Sequence, residues 1–179
     1  MSTDLTGKKV AFVLTNGVEQ VELTSPRGAL DKAGATTHVI SPAGDKLTAM
    51  QSDWEHGDSF NVDVALDKAD PGDYDLLVLP GGTLNADSLR IDEDAQRFVK
   101  AFFEADKPVA AICHAPWILA QIGVAKGRRL TSYSSTKVDL VNAGADWVDE
   151  SVVVDGNLIT SRNPGDLDDF NAAIAKALS

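Results

Sequence analysis

Three short and almost wholly apolar segments constrain the fold of this chain more than any other feature. They occupy residues 9–15, 75–79 and 108–112, and each runs into a turn or into a segment with helical spacing of apolar residues. Apolar runs of this length without polar alternation are typical of strands buried on both faces. Strands of that kind alternating with helices predict an α/β sandwich with a mostly parallel sheet.

The remaining elements follow the same alternation except in one segment. Apolar residues three or four positions apart predict helices over 19–33, 92–102, 116–122, 137–142 and 167–178. Further strands are predicted at 36–41 and 130–133, with a hairpin formed by 152–154 and 158–160. Residues 44–70 are polar and too long for a simple connection, so we interpret them as a β-hairpin excursion or a partner-facing flap. We predict one domain, 1–179.

The composition excludes several classes of protein. The 179 residues are 44% apolar and 24% charged, as in globular domains. The 27 acidic side chains outnumber the 16 basic ones, and the resulting net charge of -11 repels phosphate backbones, so we expect no nucleic-acid binding. No apolar run approaches about 18 residues, and the first residues lack a signal-peptide pattern. We therefore expect a cytoplasmic protein without a membrane span.

The single cysteine lies where a buried strand turns into a helix. Cys113 directly follows the apolar run 108–112, and it permits neither an intrachain disulfide nor a multi-cysteine zinc site. A sharp turn at the carboxyl end of a strand can lift a nucleophile out of the sheet, as in a nucleophile elbow. Because the start of a helix favours a thiolate, we expect a lowered thiol pKa. The competing interpretation is a small buried apolar residue.

Two neighbours of this turn can support a nucleophile. His114 could take the thiol proton if its ring bends back to the sulfur, whereas the alternative is a helix residue that points to solvent. Pro80-Gly81-Gly82 ends another buried strand, and a backbone N–H there, together with that of His114, would form an oxyanion hole. The competing interpretation is that the double glycine only forms a tight turn.

Carboxyl groups and the other histidines are weaker candidates. Glu19 and Glu22 lie three apart at the start of the first helix, so one of them can project over the same crevice, although helix-start glutamates often only complement the dipole. His38 lies in a predicted strand and is interpreted as structural, and His56 has no evident partner. The histidine spacing predicts no metal site, and the absence of a phosphate loop and of a Gly-x-Gly-x-x-Gly fingerprint argues against a nucleotide-dependent enzyme.

Three motifs in this chain are distinctive in combination. They are Val-Glu-Gln-Val-Glu-Leu at 18–23, Leu-Val-Leu-Pro-Gly-Gly at 77–82 and Ala-Ile-Cys-His-Ala-Pro at 111–116. Together they resemble the PfpI intracellular protease family, which shares a superfamily with the Parkinsonism-associated deglycase and class I glutamine amidotransferase domains. The likeness continues through 131–133, 142–149 and 161–167, and residues 81–87 are similar to a bacterial general-stress branch. It implies a flavodoxin-like three-layer α/β/α sandwich with a nucleophile elbow.

The resemblance also implies roles for individual residues. Cys113 corresponds to the nucleophile, Glu22 to the carboxyl partner beneath it, His114 to the neighbouring base, and Gly82 with His114 to the oxyanion hole. In peptidase-like members an acidic residue from a neighbouring subunit completes the triad, and its match here is Asp87, a shorter side chain than the usual Glu. A homodimer or higher homo-oligomer is expected. Glutaminase relatives need a downstream His, which this chain lacks.

Two functions remain open at this stage. One is a stress-response, cysteine-dependent enzyme of the hydrolase or deglycase type that acts through Cys113 on small carbonyl compounds or peptides, without a cofactor. Family members are described as peptidases, deglycases and glyoxalases that convert methylglyoxal to lactate. The alternative is a redox-sensing or chaperone-like stress protein in which Cys113 is oxidised without efficient turnover. A crevice at an elbow suits small substrates better than folded protein.

Overall fold

A seven-stranded sheet forms the centre of the computed structural model, which describes residues 3–179. The strands within these residues are β1 (Lys9–Val13), β2 (Thr36–Ser41), β3 (Lys46–Gln51), β4 (Glu55–Asn61), β5 (Val64–Ala65), β6 (Leu76–Leu79), β7 (Val109–Ile112), β8 (Arg129–Leu130), β9 (Asp146–Trp147), β10 (Val152–Asp155) and β11 (Leu158–Ser161). The helices are α1 (Gln20–Lys32), α2 (Thr83–Arg90), α3 (Glu93–Glu104), α4 (Trp117–Gln121), α5 (Lys137–Asn142) and α6 (Leu167–Leu178).

The strand order of the main sheet is β10-β11-β7-β6-β1-β2-β5. Every neighbouring pair from β11 to β5 is parallel, and only β10 runs antiparallel, paired in a hairpin with β11. This arrangement confirms the predicted flavodoxin-like fold with a mostly parallel sheet. All the carboxyl ends of the parallel strands therefore lie along one edge.

Two apolar cores cover the two faces of the sheet. Alternate residues of β1 point to opposite sides, so that Phe12 packs with α1 and α6, while Val13 packs with α3 and α4. The strand residues of β1, β6 and β7 are almost completely buried, apart from Lys9 at the start of β1. Burial on both faces explains why these runs lack polar alternation, and it produces the three layers.

The polar segment 44–70 forms the predicted β-hairpin. Strands β3 and β4 pair with each other as a separate two-stranded sheet, and β5 returns to the edge of the main sheet. Backbone hydrogen bonds from Gly17 N to Thr48 O (2.9 Å) and from Met50 N to Val18 O (2.8 Å) hold the hairpin against the loop between β1 and α1. The tip of the hairpin consequently lies at the carboxyl edge of the main sheet.

Two details differ from the sequence predictions. The strand predicted at 130–133 is limited to Arg129–Leu130, because the chain then leaves β9 and Tyr133 N donates instead to Cys113 O (2.7 Å). Helix α2 was not predicted, since its eight residues directly follow the double glycine and are too few to show a clear period. Within residues 3–179, none of the helices has the length and apolar character that a membrane span requires.

Candidate active site

Cys113 occupies a strained turn at the end of β7. Its φ is +64°, a left-handed conformation that residues other than glycine rarely adopt, and its N–H donates to Ser161 O of the neighbouring strand (3.1 Å). The Ala115 N–H donates to Ile112 O across the turn (3.1 Å). The predicted nucleophile elbow is therefore confirmed. The sulfur lies close to His114, with 3.2 Å between Sγ and Nδ1.

The double glycine that ends β6 allows the closest approach of backbone to this turn. A Cβ on Gly81 would lie 2.5 Å from Glu22 Oε2 and 2.7 Å from the Cβ of Cys113. Gly82 has a φ of +89°, and its N–H faces the sulfur of Cys113, as does the N–H of His114. The buried Asn85 fixes this turn by donating to Pro80 O and Gly81 O, both at 2.9 Å. Both predicted oxyanion donors thus lie near enough to the thiol to favour its anionic form.

Glu22 lies beneath the thiol and is completely buried. Its Oε2 accepts a hydrogen bond from Gly81 N (2.7 Å), and its Oε1 has no nitrogen or oxygen partner among the described residues. Burial raises the pKa of Glu22 to about 8, against the lowering effects of the hydrogen bond from Gly81 and of the contact with Cys113. The carboxyl group is therefore neutral at pH 7, and it can donate its proton to a neighbouring sulfur.

The expected lowering of the thiol pKa is wrong for the resting site. Burial raises the pKa of Cys113, and any charge on Glu22 raises it further, whereas the N–H groups of Gly82 and His114 act in the opposite direction. The short helix α4 begins only at Trp117, four residues further on, so its first turn does not offset the burial. The resting thiol is consequently protonated at neutral pH and needs a base.

His114 is placed to be that base. Its ring bends back over the sulfur and stacks on Tyr133, with 4.6 Å between the ring centroids. Burial lowers the pKa of His114, although the charge of Asp53 acts against this, so the imidazole is neutral at pH 7 and has one nitrogen free to accept a proton. Its other nitrogen, Nε2, lies 3.1 Å from Ser135 Oγ and 3.4 Å from Thr83 Oγ1.

The hairpin tip supplies site residues that no sequence motif indicates. Asp53 accepts hydrogen bonds from the N–H of Thr83 (3.1 Å) and from its hydroxyl (2.6 Å), and Thr83 is the first residue of α2. Glu19 accepts from the N–H of Ser52 (2.9 Å), and burial raises its pKa. The only sequence signal for these residues is a polar turn at 52–53, inside a segment that is too long for a simple connection.

Other predicted candidates lie away from the site within one chain. Asp87 is on α2, exposed, and paired with Arg90 (3.1 Å), so a contribution to a neighbouring subunit stays a prediction. His38 Nδ1 lies 3.0 Å from the hydroxyl of Tyr74, in line with the structural interpretation. His56 is exposed on β4. No group of three or more metal-ligating side chains with suitable geometry occurs between residues 3 and 179.

A cavity of about 350 Å³ opens above the thiol. The residues that line it are Glu19, Glu22, Ser52, Asp53, Gly82, Thr83, Cys113, His114, Tyr133 and Pro164. Three of these side chains are acidic, and none is a lysine or an arginine. The cavity has the size of a small molecule, and its charge favours neutral or cationic ligands over anions.

Comparison with known proteins identifies the family. The model of the DJ-1/PfpI family matches residues 8–177, and the chain therefore belongs to this family. An uncharacterized protein of Staphylococcus epidermidis is 46% identical over 173 residues, which cover 96% of this chain and 98% of that protein. One of Staphylococcus haemolyticus is 47% identical over the same lengths. The resemblance found in the sequence is confirmed.

Solved structures support the same assignment. Drosophila melanogaster DJ-1beta superposes with a TM-score of 0.86 and 34% identity, covering 96% of this chain and 90% of that one. A two-domain protein of Anabaena variabilis, with a DJ-1/ThiJ/PfpI-like and a ferritin-like domain, gives a TM-score of 0.88 and 36% identity. The match covers 96% of this chain and 48% of the Anabaena protein, so that protein is about twice as long as the matched region.

Proposed function

We propose that this protein is a cysteine-dependent enzyme of carbonyl stress, which adds the Cys113 thiol to the electrophilic carbon of small carbonyl compounds. The observation that carries the proposal is the 3.2 Å contact between Cys113 Sγ and His114 Nδ1 at the floor of a small-molecule cavity. The N–H groups of Gly82 and His114 lie near the same sulfur, beside which the oxygen of an adding carbonyl would develop its charge. Nucleophile, base and oxyanion donors are thus supplied by adjacent turns.

The chemistry begins with a proton transfer. The thiol proton moves to Nδ1 of His114, and the sulfur lone pair forms a bond to the carbonyl carbon while the carbonyl π electrons move to oxygen. The backbone N–H groups of Gly82 and His114 stabilise that developing oxyanion. Because the resting thiol is protonated, His114 removes its proton at the moment of addition. A preformed thiolate–imidazolium ion pair is not required.

A 2-oxoaldehyde such as methylglyoxal illustrates the complete reaction. Addition at the aldehyde gives a hemithioacetal, and moving its C1 proton to C2 through an enediol converts it into a 2-hydroxy thioester. Water then cleaves the thioester, so one methylglyoxal and one water yield one lactic acid and the free thiol. Protons pass to and from His114 and the neutral carboxyl of Glu22, which lies beneath the sulfur.

The charge of the cavity supports neutral carbonyl compounds as substrates. Glu19 and Asp53 line it without an opposing cation, whereas Glu22 is neutral at pH 7, and this disfavours anionic 2-oxoacids such as glyoxylate. Glycated amino groups, which are neutral or cationic, also fit this charge. Peptide hydrolysis is less well supported, because a cavity of about 350 Å³ has the size of a small molecule and not of a peptide chain.

The test is turnover of methylglyoxal by the purified, reduced protein, followed as lactate by proton NMR. We expect turnover by the wild type, and a fall to the protein-free rate in Cys113→Ser, because the hydroxyl is a far weaker nucleophile. Glyoxylate serves as an anionic comparison substrate and is expected to react more slowly, because the cavity is lined by acidic side chains. Absence of any Cys113-dependent turnover in a folded sample would contradict the proposal.

A second candidate function is redox sensing at Cys113, and the buried Glu22 favours it. A carboxyl group that is neutral below about pH 8 can donate a hydrogen bond to an oxidised sulfur and so stabilise a sulfenate or sulfinate. Mass spectrometry after exposure to limiting peroxide tests this function by measuring the oxidation of Cys113. If Cys113 stays unoxidised while iodoacetamide still alkylates it, the sensor function is excluded.

We further propose the cellular setting that the family relationship supports, a homo-oligomer in the cytoplasm. In that assembly Asp87, exposed on α2, would contribute to the site of a neighbouring copy. Dilution of the active protein to monomers tests this. Full activity in the monomer would rule out a role for Asp87 across subunits.

A further inference from the structure

A chain of hydrogen bonds runs from the tip of the β3–β4 hairpin to the thiol. Asp53 Oδ2 lies 2.6 Å from Thr83 Oγ1, which lies 3.4 Å from His114 Nε2, and His114 Nδ1 lies 3.2 Å from Cys113 Sγ. The hairpin, α2 and the elbow each contribute one part of it. Four side chains from three separate parts of the sequence are thus connected by three contacts.

The chemistry of each group fixes the direction of the protons along this chain. A carboxylate only accepts hydrogen bonds, so the hydroxyl proton of Thr83 points to Asp53. The oxygen of Thr83 can then only accept from His114, which requires the imidazole proton to be on Nε2. In a neutral imidazole this leaves Nδ1 as the acceptor, and Nδ1 is the nitrogen that faces the sulfur.

The second neighbour of Nε2 does not decide the tautomer. Ser135 Oγ is closer, at 3.1 Å, but its hydroxyl makes no other hydrogen bond within the described residues and can rotate to donate or to accept. Only Thr83 has its proton committed elsewhere. The direction of the whole chain therefore depends on the carboxylate of Asp53.

We propose that Asp53, acting through Thr83, is a positioning residue that keeps Nδ1 of His114 free to accept the proton of Cys113. The inference rests on the proposed role of His114 as the base. When the thiol proton moves to Nδ1, the ring becomes an imidazolium, its Nε2–H stays bonded to Thr83 and Ser135, and the carboxylate of Asp53 lies one hydroxyl away from the new charge. Asp53 receives no proton.

The local backbone at Asp53 is compatible with such a role. Ser52 and Asp53 have φ values of +55° and +63°, which are costly for residues other than glycine, and aspartate tolerates this region better than most. The Ser52 N–H is held by Glu19, and the Asp53 carboxylate also accepts from Thr83 N, the first N–H of α2. The hairpin tip is thereby fixed at the distance that the contact with Thr83 requires.

The tautomer of His114 can be read directly in the resting protein by ¹⁵N NMR of labelled histidine, with the signal assigned through its loss in His114→Gln. We expect a proton on Nε2 in the wild type. In Asp53→Asn the side-chain amide can donate to Thr83 Oγ1, which frees the hydroxyl proton to point at Nε2. The Nδ1–H tautomer should then gain population.

The same variants should change the reactivity of the thiol. With a proton on Nδ1 the base is blocked, so we expect alkylation of Cys113 by iodoacetamide at pH 7 to slow by about tenfold or more in Asp53→Asn. Thr83→Val is expected to slow it as well, whereas Thr83→Ser keeps the hydroxyl and restores the wild-type rate. Glu55→Gln removes a charge from the same hairpin but leaves the chain of hydrogen bonds intact. Its Cys113 is expected to be alkylated at the wild-type rate.

The outcomes separate this inference from the proposed function. A wild-type proton on Nδ1, or an unchanged tautomer and alkylation rate in both Asp53→Asn and Thr83→Val, would overturn the role of Asp53. Thr83→Ser is the control for a loss of folding, because it should show the wild-type tautomer of His114 and the wild-type alkylation rate of Cys113. If the tautomer responds as expected while methylglyoxal is not turned over, the positioning role stands and the proposed substrate fails.

Discussion

The two sides of the candidate nucleophile are built in different ways. Below the thiol, Glu22 and Gly81 are buried between α1 and the ends of the central strands, where neighbouring atoms leave no spare volume. Above it, Asp53 and Thr83 are half-exposed and are held together by two individual hydrogen bonds. Close packing therefore fixes the buried side, whereas the hairpin side depends on the identity of a few polar atoms.

The largest loss of stability expected at a fixed pH comes from adding one methyl group to the buried side of the nucleophile. In Gly81→Ala the new Cβ would meet Glu22 Oε2 at 2.5 Å and Ile112 O at 2.7 Å, and the latter is a backbone atom of β7 that cannot move away. We expect the free energy of unfolding to fall by about 3 kcal/mol, as in an overpacked core. Urea unfolding of the purified variant measures this change.

Gly28→Ala provides the matched control. Gly28 is exposed within α1, its added Cβ would meet nothing within 4 Å, and its φ is not positive. Because alanine is a better helix former than glycine, stability should rise by about 0.5 to 1 kcal/mol. Equal effects of the two substitutions would show that the buried side is not closely packed.

An effect that depends on pH is expected from Glu22→Gln. The pKa of Glu22 is about 8 in the folded protein against an ordinary value of 4.5, so between these values the folded state holds a proton that the unfolded chain has lost. Wild-type stability then falls as pH rises through this window, by at most about 1.4 kcal/mol per pH unit. Below pH 4.5 Glu22 is protonated in both the folded and the unfolded state, and the stabilisation that its raised pKa provides is fully present.

The variant lacks this titration, so its stability relative to the wild type should increase steadily between pH 5 and pH 8.5. Urea unfolding at pH 5, 6.5 and 8.5 checks the trend. Glu55→Gln, which removes an exposed carboxyl group from the hairpin, is expected to show no such trend. A stability difference between Glu22→Gln and the wild type that does not vary with pH would mean that Glu22 is charged in the folded protein.

The same contrast explains what the sequence could and could not predict. The buried side follows from local patterns, since an apolar run ending at Cys113 and another ending at Gly81 are typical of neighbouring strands of a parallel sheet. The contact between Asp53 and Thr83 depends on how a hairpin docks 30 positions away, and no periodicity encodes that docking. The thiol pKa was wrongly predicted because its burial depends on several elements together.

The smallest expected effect concerns the docking of the hairpin itself. Gln20 accepts from Asp58 N (2.7 Å) and donates to Asp58 Oδ2 (2.9 Å), both at the surface. Because water can replace these partners, Gln20→Ala should lower the free energy of unfolding by less than about 1 kcal/mol. Amide exchange within β4 should nevertheless become faster, since local opening needs less free energy than global unfolding.

Hydrogen–deuterium exchange followed by mass spectrometry separates the two sides in this variant. Peptides from β1, β6 and β7 should keep wild-type protection, while those covering 52–61 exchange faster. Uniformly faster exchange would mean that the hairpin and the central sheet open as one unit. Wild-type protection throughout would mean that the backbone bonds to Gly17 and Val18 suffice to hold the hairpin, so that the position of Asp53 does not depend on side chains of α1.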